Sequence, residues 1–297
     1  MSAIRVNPNP TADLLAALAQ NQQQQQIALL QLASGSKINA PSDNPAGAAV
    51  LTQIHDRSSQ ADSFQRSMSS ITGQFQTADS TLNSAVLALQ RAITLGVQGA
   101  TGTLSDSDRA AVAAELKGLR DQLISLGNVT YQGQFIFAGT SQTQPFVADS
   151  SVSSGVRYDG NAGVNKVTVG NGFALQVNQP GSDVFNAPAA NVFQSINDLI
   201  NALGANSGID TAVVGVRKAF DFVTSQRVFY GNALNQIDSQ QTFLNTEKLN
   251  LSQQENTIGG TDLAASASQL VNAQTARNAE LAAMGRSPQT SLFDFLK

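Results

Sequence analysis

The chain has 297 residues and a formal net charge of −4, and only 13% of its residues are charged, about half of the ~25% that is usual in soluble domains. It has no cysteine, which excludes disulfides, thiol catalysis and thiolate metal sites. No block of lysines and arginines occurs, which argues against nucleic-acid binding, and no apolar run reaches the length of a membrane-spanning helix.

The N-terminal segment, residues 1–45, carries large aliphatic residues around a glutamine-rich run at 20–26. We expect five of them to form an assembly surface: Leu14, Leu15, Leu18, Ile27 and Leu30. Chain ends are usually polar. Several leucines left in water would favour aggregation unless a partner covers them.

Residues 50–92 carry the strongest periodic signal. Twelve of thirteen positions spaced three and four apart, from Val50 to Ala92, are apolar, and no proline interrupts the run. The pattern predicts a long helix with a coiled-coil-type seam that includes Ile71. A second helix is expected after Ser105, which with Asp108 has the spacing of a capping box, and a left-handed cap is expected at its end near Gly127–Asn128.

The residues at 141–188 favour strands rather than helices. Val167 and Val169 alternate with polar residues before the turn at 170–172, a pattern that predicts a hairpin. Further strand candidates are Phe135–Phe137 and Val156–Tyr158, and a short helix is predicted from Val192 to Leu203.

A third long helix is predicted from 209 to 258. Its apolar residues recur every seven positions, at Val216, Val223, Tyr230, Ile237, Leu244, Leu251 and Ile258. We expect this helix to bundle with the 50–92 helix, and Phe222, Phe229 and Phe243 to widen its apolar face.

The C-terminal segment follows Gly259–Gly260, with Thr261 as the expected helix cap. It continues the expected assembly surface through Leu263, Leu270, Leu281, Met284, Leu292, Phe293, Phe295 and Leu296. The two ends could pair with each other and with neighbouring subunits, or they could simply dock on their own chain.

These elements predict a mainly α protein, an elongated helical rod formed by N- and C-terminal helices with a small β-rich insertion in the middle. The expected division is 1–45 (assembly segment), 46–140 (rod), 141–188 (β-rich outer domain), 189–260 (rod) and 261–297 (assembly helix).

Residue types that could carry catalysis or bind a ligand are few. His55 is the one histidine of the sequence and is expected to face solvent; no G-x-S-x-G elbow accompanies it. The run Ser105–Asp108 lacks the spacing of an EF-hand calcium loop. The Gly170–Gly172 turn lacks the third glycine of a dinucleotide-binding loop.

Two runs of residues carry a family resemblance. The stretch from Leu32 to Gly47 resembles the N-terminal signature of the flagellin superfamily, through Ser34, Gly35, Ile38, Asn39, Asp43, Pro45 and Gly47. Lys37 stands where flagellins usually have Arg, and Asn44 where a second Asp is common. A second run resembles the hook–filament junction branch of the superfamily, through Phe137, Ala138, Gly139, Thr140, Pro145 and Phe146, and the Ser291–Leu296 ending is similar to that of the same branch.

The resemblance implies a structural protein of the flagellum that is not an enzyme and needs no cofactor. In such proteins the chain ends form the polymer core, and export through the flagellar type III channel to the cell exterior needs no cleaved signal. The implied partners are hook-associated protein 1, flagellin, further copies of the chain and an export chaperone. Flagellin itself remains an alternative, as does a coiled-coil signalling or adhesin protein.

Overall fold

The computed structural model describes residues 10–170 and 172–286 of the chain. Their helices are α1 (Pro10–Ser34), α2 (Pro45–Gly99), α3 (Asp106–Gly127), α4 (Gly181–Val184), α5 (Val192–Ala205), α6 (Ile209–Gly259) and α7 (Leu263–Arg286). Their strands pair as antiparallel hairpins: β1 (Thr130–Tyr131) with β2 (Gln134–Phe135), β3 (Phe146–Ala148) with β4 (Val156–Tyr158), β5 (Lys166–Gly170) with β6 (Phe173–Gln176), and β7 (Asn186–Ala187) with β8 (Ala190–Asn191). The predicted mainly α fold with a strand-containing middle is confirmed.

The described residues divide into two compact units. The terminal unit comprises those up to Gln60 and from Thr246 onward, and the central unit comprises Ala61–Asn245. The five-segment division drawn from the sequence stays a prediction.

The core of the central unit runs along α2 and α6. Phe75, Leu82 and Leu89 of α2 are fully buried, and the ring of Phe75 meets that of Tyr230 edge-on, with centroids 5.5 Å apart. The buried residues of α6 include the predicted seven-residue series: Val216, Val223, Tyr230, Ile237 and Leu244. A repeat of seven keeps one side of each helix on its neighbour, so the predicted seam is confirmed here.

A neighbouring row of α6 makes a polar contact across the same helix pair. Arg227 donates to both carboxylate oxygens of Asp79, at 2.8 and 3.0 Å, and to the amide oxygen of Asn83 at 3.0 Å. This bidentate pairing fixes the relative orientation of the Arg227 and Asp79 side chains and is stronger than a single neutral hydrogen bond. The prediction that Phe243 widens the apolar face is wrong, because its neighbour Leu244 holds the seam and leaves Phe243 58% exposed.

Helix α3 begins as predicted and ends differently. The Ser105 hydroxyl accepts from the backbone N–H of Asp108, and the Asp108 carboxylate accepts from the N–H of Ser105, which completes the capping box. The predicted left-handed cap at the other end is wrong, because Asn128 has φ −100°. The Asn128 side chain instead bonds to both backbone groups of Phe146, at 2.8 and 2.9 Å, as a neighbouring strand would.

The hairpins of the central unit surround an aromatic cluster. Phe137, Phe146, Phe185 and Phe193 are buried, and the ring of Phe146 lies 5.5 Å from that of Phe185 and 5.2 Å from that of Phe193. The β5–β6 hairpin and the α5 helix are confirmed, as is the 156–158 strand. Within the 135–137 candidate only Phe135 is in a strand; Phe137 lies in the following turn, where its carbonyl accepts from Gly181 N–H at 2.7 Å.

Candidate functional site

Helices α1 and α7 pack antiparallel to each other, and their contact is lined by small side chains. Ala28, Ser266 and Ala273 are buried at 1%, 3% and 5% exposure. Asn21 of α1 hydrogen-bonds to Glu280 of α7. Helices α1 and α7 therefore meet through alanine, serine and amide groups, and several of their large aliphatic side chains face away from the contact.

Most of the predicted assembly residues that can be described lie on the outside of this pair. The exposed fractions are 55% for Leu15, 45% for Ile27, 57% for Leu30, 54% for Leu263 and 46% for Leu281. Leu14, Leu18, Leu270 and Met284 are partly buried. The remaining predicted residues, Leu292, Phe293, Phe295 and Leu296, lie outside the described residues.

Two further exposed aliphatic residues of the pair were not among the expected assembly residues. Leu29 is 47% exposed and Val271 is 59% exposed. The signal that could have found them is the spacing of the small residues: Ser266 and Ala273 are seven apart and mark the buried side of α7. We call the exposed residues Leu15, Ile27, Leu29, Leu30, Leu263, Val271 and Leu281 the outer aliphatic face.

The first signature run forms the connection between α1 and α2. The Asp43 carboxylate accepts from the backbone N–H groups of Asn39 and Ala40, both at 2.9 Å. These two bonds lower the pKa of the Asp43 carboxyl, and the bond from Ala40 has the larger effect. Asn44 accepts from Gly47 N–H at 2.9 Å and so caps α2, with Pro45 at its first position.

Two glycines of this run occupy positions where the local geometry favours glycine over other residues. Gly35 ends α1 with φ +67°, a conformation that suits glycine. A Cβ on Gly47 would lie 2.6 Å from the end of the Ile38 side chain. Ser34 turns its hydroxyl back to the carbonyl of Leu30 at 2.7 Å. These contacts and the glycine geometry therefore define the shape of the loop that the first signature run forms.

The predicted cap at the start of α7 is wrong. The Asp262 carboxylate, not Thr261, accepts from the N–H groups of Ala264 and Ala265, at 2.9 and 3.1 Å. Asp262 directly precedes the first helical residue, which is where an N-cap must stand.

The second signature run builds the inside of the strand region. Phe137, Ala138 and Phe146 are fully buried. Gly139 has φ +73°, and a Cβ there would lie 2.1 Å from the carbonyl oxygen of Asn161. Thr140 donates its N–H to the Asn161 side chain at 2.9 Å.

Pro145 belongs to the same run. It is buried, and its carbonyl accepts from Asp159 N–H at 2.8 Å. These six residues hold the strand region together.

The other residues weighed for catalysis or binding find structural partners. The His55 ring is 61% exposed and lies 2.9 Å from Glu255. Ser105 and Asp108 cap α3, and Gly170 sits at the hairpin turn against the Gln240 side chain. Across residues 10–170 and 172–286, no group of three or more His, Cys, Asp or Glu side chains is placed to hold a metal ion. No helix in this part of the chain has the length and apolarity to cross a membrane.

Two family models match the chain. The model of the bacterial flagellin N-terminal helical region matches residues 7–142, and that of the bacterial flagellin C-terminal helical region matches residues 213–296. Together the two matches cover well over half of the sequence.

The chain belongs to the flagellin family.

Individual relatives span nearly all of this flagellin-family chain. Flagellar hook-associated protein 3 of Escherichia coli (strain K12) is 26% identical over 294 residues, covering 90% of this chain and 91% of the relative. Flagellin of Bacillus subtilis (strain 168) is 25% identical over 307 residues, covering 97% and 99%. The crystal structure of the flagellar junction protein FlgL from Legionella pneumophila has a TM-score of 0.61 at 15% identity, covering 71% of this chain and 100% of that one. This last likeness shows a shared fold.

Proposed function

We propose that this flagellin-family chain is a structural subunit of the bacterial flagellum that forms the junction zone between the hook and the flagellin filament. Its partners in this role are hook-associated protein 1 on the hook side, flagellin on the filament side and further copies of itself. A flagellar export chaperone would escort it, and it would reach the extracellular flagellum without signal cleavage. No enzymatic activity is part of the proposal.

The observation that carries the assembly role is the outer aliphatic face. The paired terminal helices use small residues between themselves and leave seven large aliphatic side chains exposed, Leu30 at 57% and Val271 at 59% among them. Burying a wholly exposed side chain of this size is worth roughly 1.5–3 kcal/mol, so covering one of these half-exposed side chains would gain roughly half of that. A surface of this kind gains most when neighbouring subunits bury it.

The junction position is favoured over the filament by the second signature run. Phe137, Gly139 and Phe146 resemble the junction branch, and they form the buried interior of the strand region. Coverage does not separate the two roles, because hook-associated protein 3 of Escherichia coli matches 90% of this chain and flagellin of Bacillus subtilis matches 97%; the second signature run therefore carries the choice. Flagellin is the distant alternative.

A coiled-coil signalling or adhesin protein would account for the seven-residue repeats of α2 and α6. It gives no reason for large aliphatic residues on the outside of both terminal helices. The low charge, 13% of residues, also suits subunits that press against copies of themselves, since few ions need to be desolvated.

The role can be tested in a strain that lacks this gene. We expect cells that keep their hooks, carry no attached filament and release flagellin monomer into the medium. Restoring the wild-type gene should restore attached filaments. Cells that keep their hooks but neither carry a filament nor release flagellin monomer would instead support the flagellin alternative.

Variants of the chain sharpen the same experiment. A triple substitution of the outer aliphatic face, Leu15→Gln, Leu30→Gln and Leu281→Gln, should fail to restore filaments although the protein is exported. Val228→Gln is the matched control, because Val228 is 58% exposed on α6 of the central unit. Attached filaments with the triple variant would contradict the assembly role of this face.

A further inference from the structure

The sequence contains one Asp-Gly dipeptide, Asp159–Gly160, directly after strand β4 of the central unit. In such a dipeptide the backbone nitrogen of the glycine can attack the Cγ atom of the aspartate side chain. A five-membered succinimide ring forms and one water molecule leaves. Hydrolysis then reopens the ring to aspartate or to isoaspartate, in which the main chain runs through the former side-chain carboxyl. Glycine favours ring closure because it has no Cβ in the way, so Asp159 is a chemically vulnerable position.

Close packing keeps the glycine of this dipeptide in place. A Cβ on Gly160 would lie 2.5 Å from the hydroxyl of Tyr158 and 2.9 Å from the carbonyl oxygen of Ala138. The Tyr158 ring is itself held, because its hydroxyl lies 3.0 Å from the carbonyl oxygens of both Phe137 and Asn161. The turn therefore retains the reactive dipeptide, and protection has to come from the groups around it.

A guanidinium group holds both oxygens of the Asp159 carboxylate. Arg157 Nε donates to Oδ1 at 2.7 Å, and Nη2 donates to Oδ2 at 3.0 Å. The remaining nitrogen, Nη1, donates to the Asp149 carboxylate at 2.7 Å on the other side of the β3–β4 hairpin. The planar fork of Arg157 therefore fixes the plane of the Asp159 carboxylate.

The backbone of Asp159 is bonded as well. Its N–H donates to the carbonyl of Pro145 at 2.8 Å, and its carbonyl accepts from the Thr143 hydroxyl at 3.2 Å. Ring closure requires the Asp159 side chain to turn until Cγ meets the Gly160 nitrogen. With the backbone held, the side chain can turn only by giving up its bonds to Arg157.

Arg157 also keeps the carboxyl in its less reactive form. The hydrogen bond from Arg157, together with its positive charge, lowers the pKa of the Asp159 carboxyl. The protonated acid closes the ring more readily, because it is neutral and loses water as the leaving group. The ionised carboxylate repels the attacking lone pair. Holding the group ionised therefore slows the same reaction that the geometry hinders.

We propose that Arg157 protects the Asp159–Gly160 dipeptide from isoaspartate formation, and that Asp159 becomes the site of this modification when the contact is lost. In this role Arg157 is a positioning residue for the Asp159 carboxylate. The protection is a property of the single chain and does not depend on the flagellar role.

The modification would reach the second signature run, because isoaspartate adds one methylene group to the main chain just before Gly160. The next residue, Asn161, donates its N–H to the Ala138 carbonyl at 3.1 Å, and its side chain accepts from Thr140 N–H at 2.9 Å. Displacing Asn161 would weaken both bonds. Chains that carry isoaspartate at this position should therefore melt at a lower temperature than unmodified chains.

Ageing of the purified full chain at neutral pH tests the protection. Isoaspartate at residue 159 is measured by peptide mapping with electron-transfer mass spectrometry in the wild type, Arg157→Gln and Arg157→Lys. An exposed ion pair of good geometry shifts a population by up to about fivefold, so we expect Arg157→Gln to form isoaspartate about threefold to fivefold faster than the wild type. Arg157→Lys keeps the charge but not the fork, so its rate should lie between the two.

Two control variants separate protection from other effects. Arg91→Gln makes the same change of charge at an arginine that is 54% exposed, against 52% for Arg157, and that pairs with Glu115. Val156→Ala removes buried apolar contact from β4, where Val156 is 4% exposed, and keeps the Arg157 side chain. Both should form isoaspartate 159 at the wild-type rate. Deamidation of the single Asn-Gly dipeptide of the sequence, Asn171–Gly172, verifies that all samples have aged equally.

The proposal is wrong if Arg157→Gln forms isoaspartate 159 at the wild-type rate in samples that have aged equally. It is also wrong if Val156→Ala raises the rate as much as Arg157→Gln, because loosening of the hairpin would then explain the whole effect. A folded wild type that reacts as fast as a free peptide of the same local sequence would contradict it as well.

Discussion

Replacing Ile71 by aspartate tests the seam of the central unit, where this side chain is 6% exposed on α2. The substitution loses the burial of an isoleucine, roughly 1.5–3 kcal/mol, and leaves a buried polar group without a partner, about 1–3 kcal/mol more. The free energy of unfolding should therefore fall by about 4 kcal/mol, a value reached when a core position receives an unpaired charge.

Thermal unfolding followed by circular dichroism measures this loss. For a domain of 150–250 residues, 1 kcal/mol shifts the melting temperature by about 2–4 °C, so we expect a decrease of about 8–16 °C. The matched control is Leu87→Asp, because Leu87 lies on the same helix and is 57% exposed. The free energy of unfolding of Leu87→Asp should stay within about 0.5 kcal/mol of the wild-type value.

The pH dependence of the same variant gives a second check. A carboxyl placed in the seam has a raised pKa in the folded state, because burial disfavours its charged form. The folded variant then binds a proton more readily than the unfolded chain, so its deficit should be smallest near pH 4 and should grow as the pH rises toward 7. Unchanged melting, or a deficit that does not vary with pH, would refute the assignment of Ile71 to the seam.

Three further predictions concern the tail and the two signature runs. Removing residues 292–297 should leave the melting of the central unit unchanged and abolish filament attachment, and normal attachment would count against the assembly role of the tail. Gly139→Ala should lower the free energy of unfolding in urea by at least about 2 kcal/mol, because the added Cβ would lie 2.1 Å from the Asn161 carbonyl oxygen. The control Gly133→Ala should cost less, because Gly133 also has a positive φ, +80°, but has open space around it. Equal losses in the two variants would show that the clash is relieved. The pKa of Asp43 is lowered by the backbone N–H groups of Ala40 and Asn39, so the stabilisation of this loop should be present above the ordinary value near 4 and be lost as the pH falls through the lowered pKa. Amide NMR shifts of the two donors should follow that titration in the wild type and not in Asp43→Asn, and a flat response in both would contradict the contact.

The long helices could be predicted because their signal is strong and repeated. The seven-residue series from Val216 to Leu244 is buried as expected, since each position sees the same neighbouring helix. The capping box of Ser105 and Asp108 is a local motif, so three residues of sequence are enough to define it.

The errors arose where a distant segment decides the local structure. Asn128 takes no left-handed cap, because its side chain bonds to Phe146, eighteen residues away. Phe137 leaves the strand, because the aromatic cluster of residues distant in sequence draws it inward. Thr261 is an exception with a local cause: Asp262 stands directly before the first helical residue, and its carboxylate accepts from the N–H groups of Ala264 and Ala265.

The assembly surface, too, could be predicted from the sequence only in part. The sequence indicates that both ends carry large aliphatic residues. It does not indicate that alanine and serine would occupy the contact between α1 and α7, since hydrophobicity alone would place the leucines there. The exposure of Leu29 and Val271 follows from that choice of small residues and not from their own chemistry.

Binding between purified components tests the assembly role of the outer aliphatic face most directly. The full chain, the Leu15→Gln, Leu30→Gln, Leu281→Gln variant and the Val228→Gln control would each be immobilised and offered purified hook-associated protein 1 and purified flagellin. Wild type and control should retain both proteins. The triple variant should lose at least tenfold in affinity, since covering the three half-exposed leucines would together be worth roughly 2–4 kcal/mol. Retention of both partners by the triple variant at wild-type affinity would contradict the claim that these side chains join the chain to its neighbours.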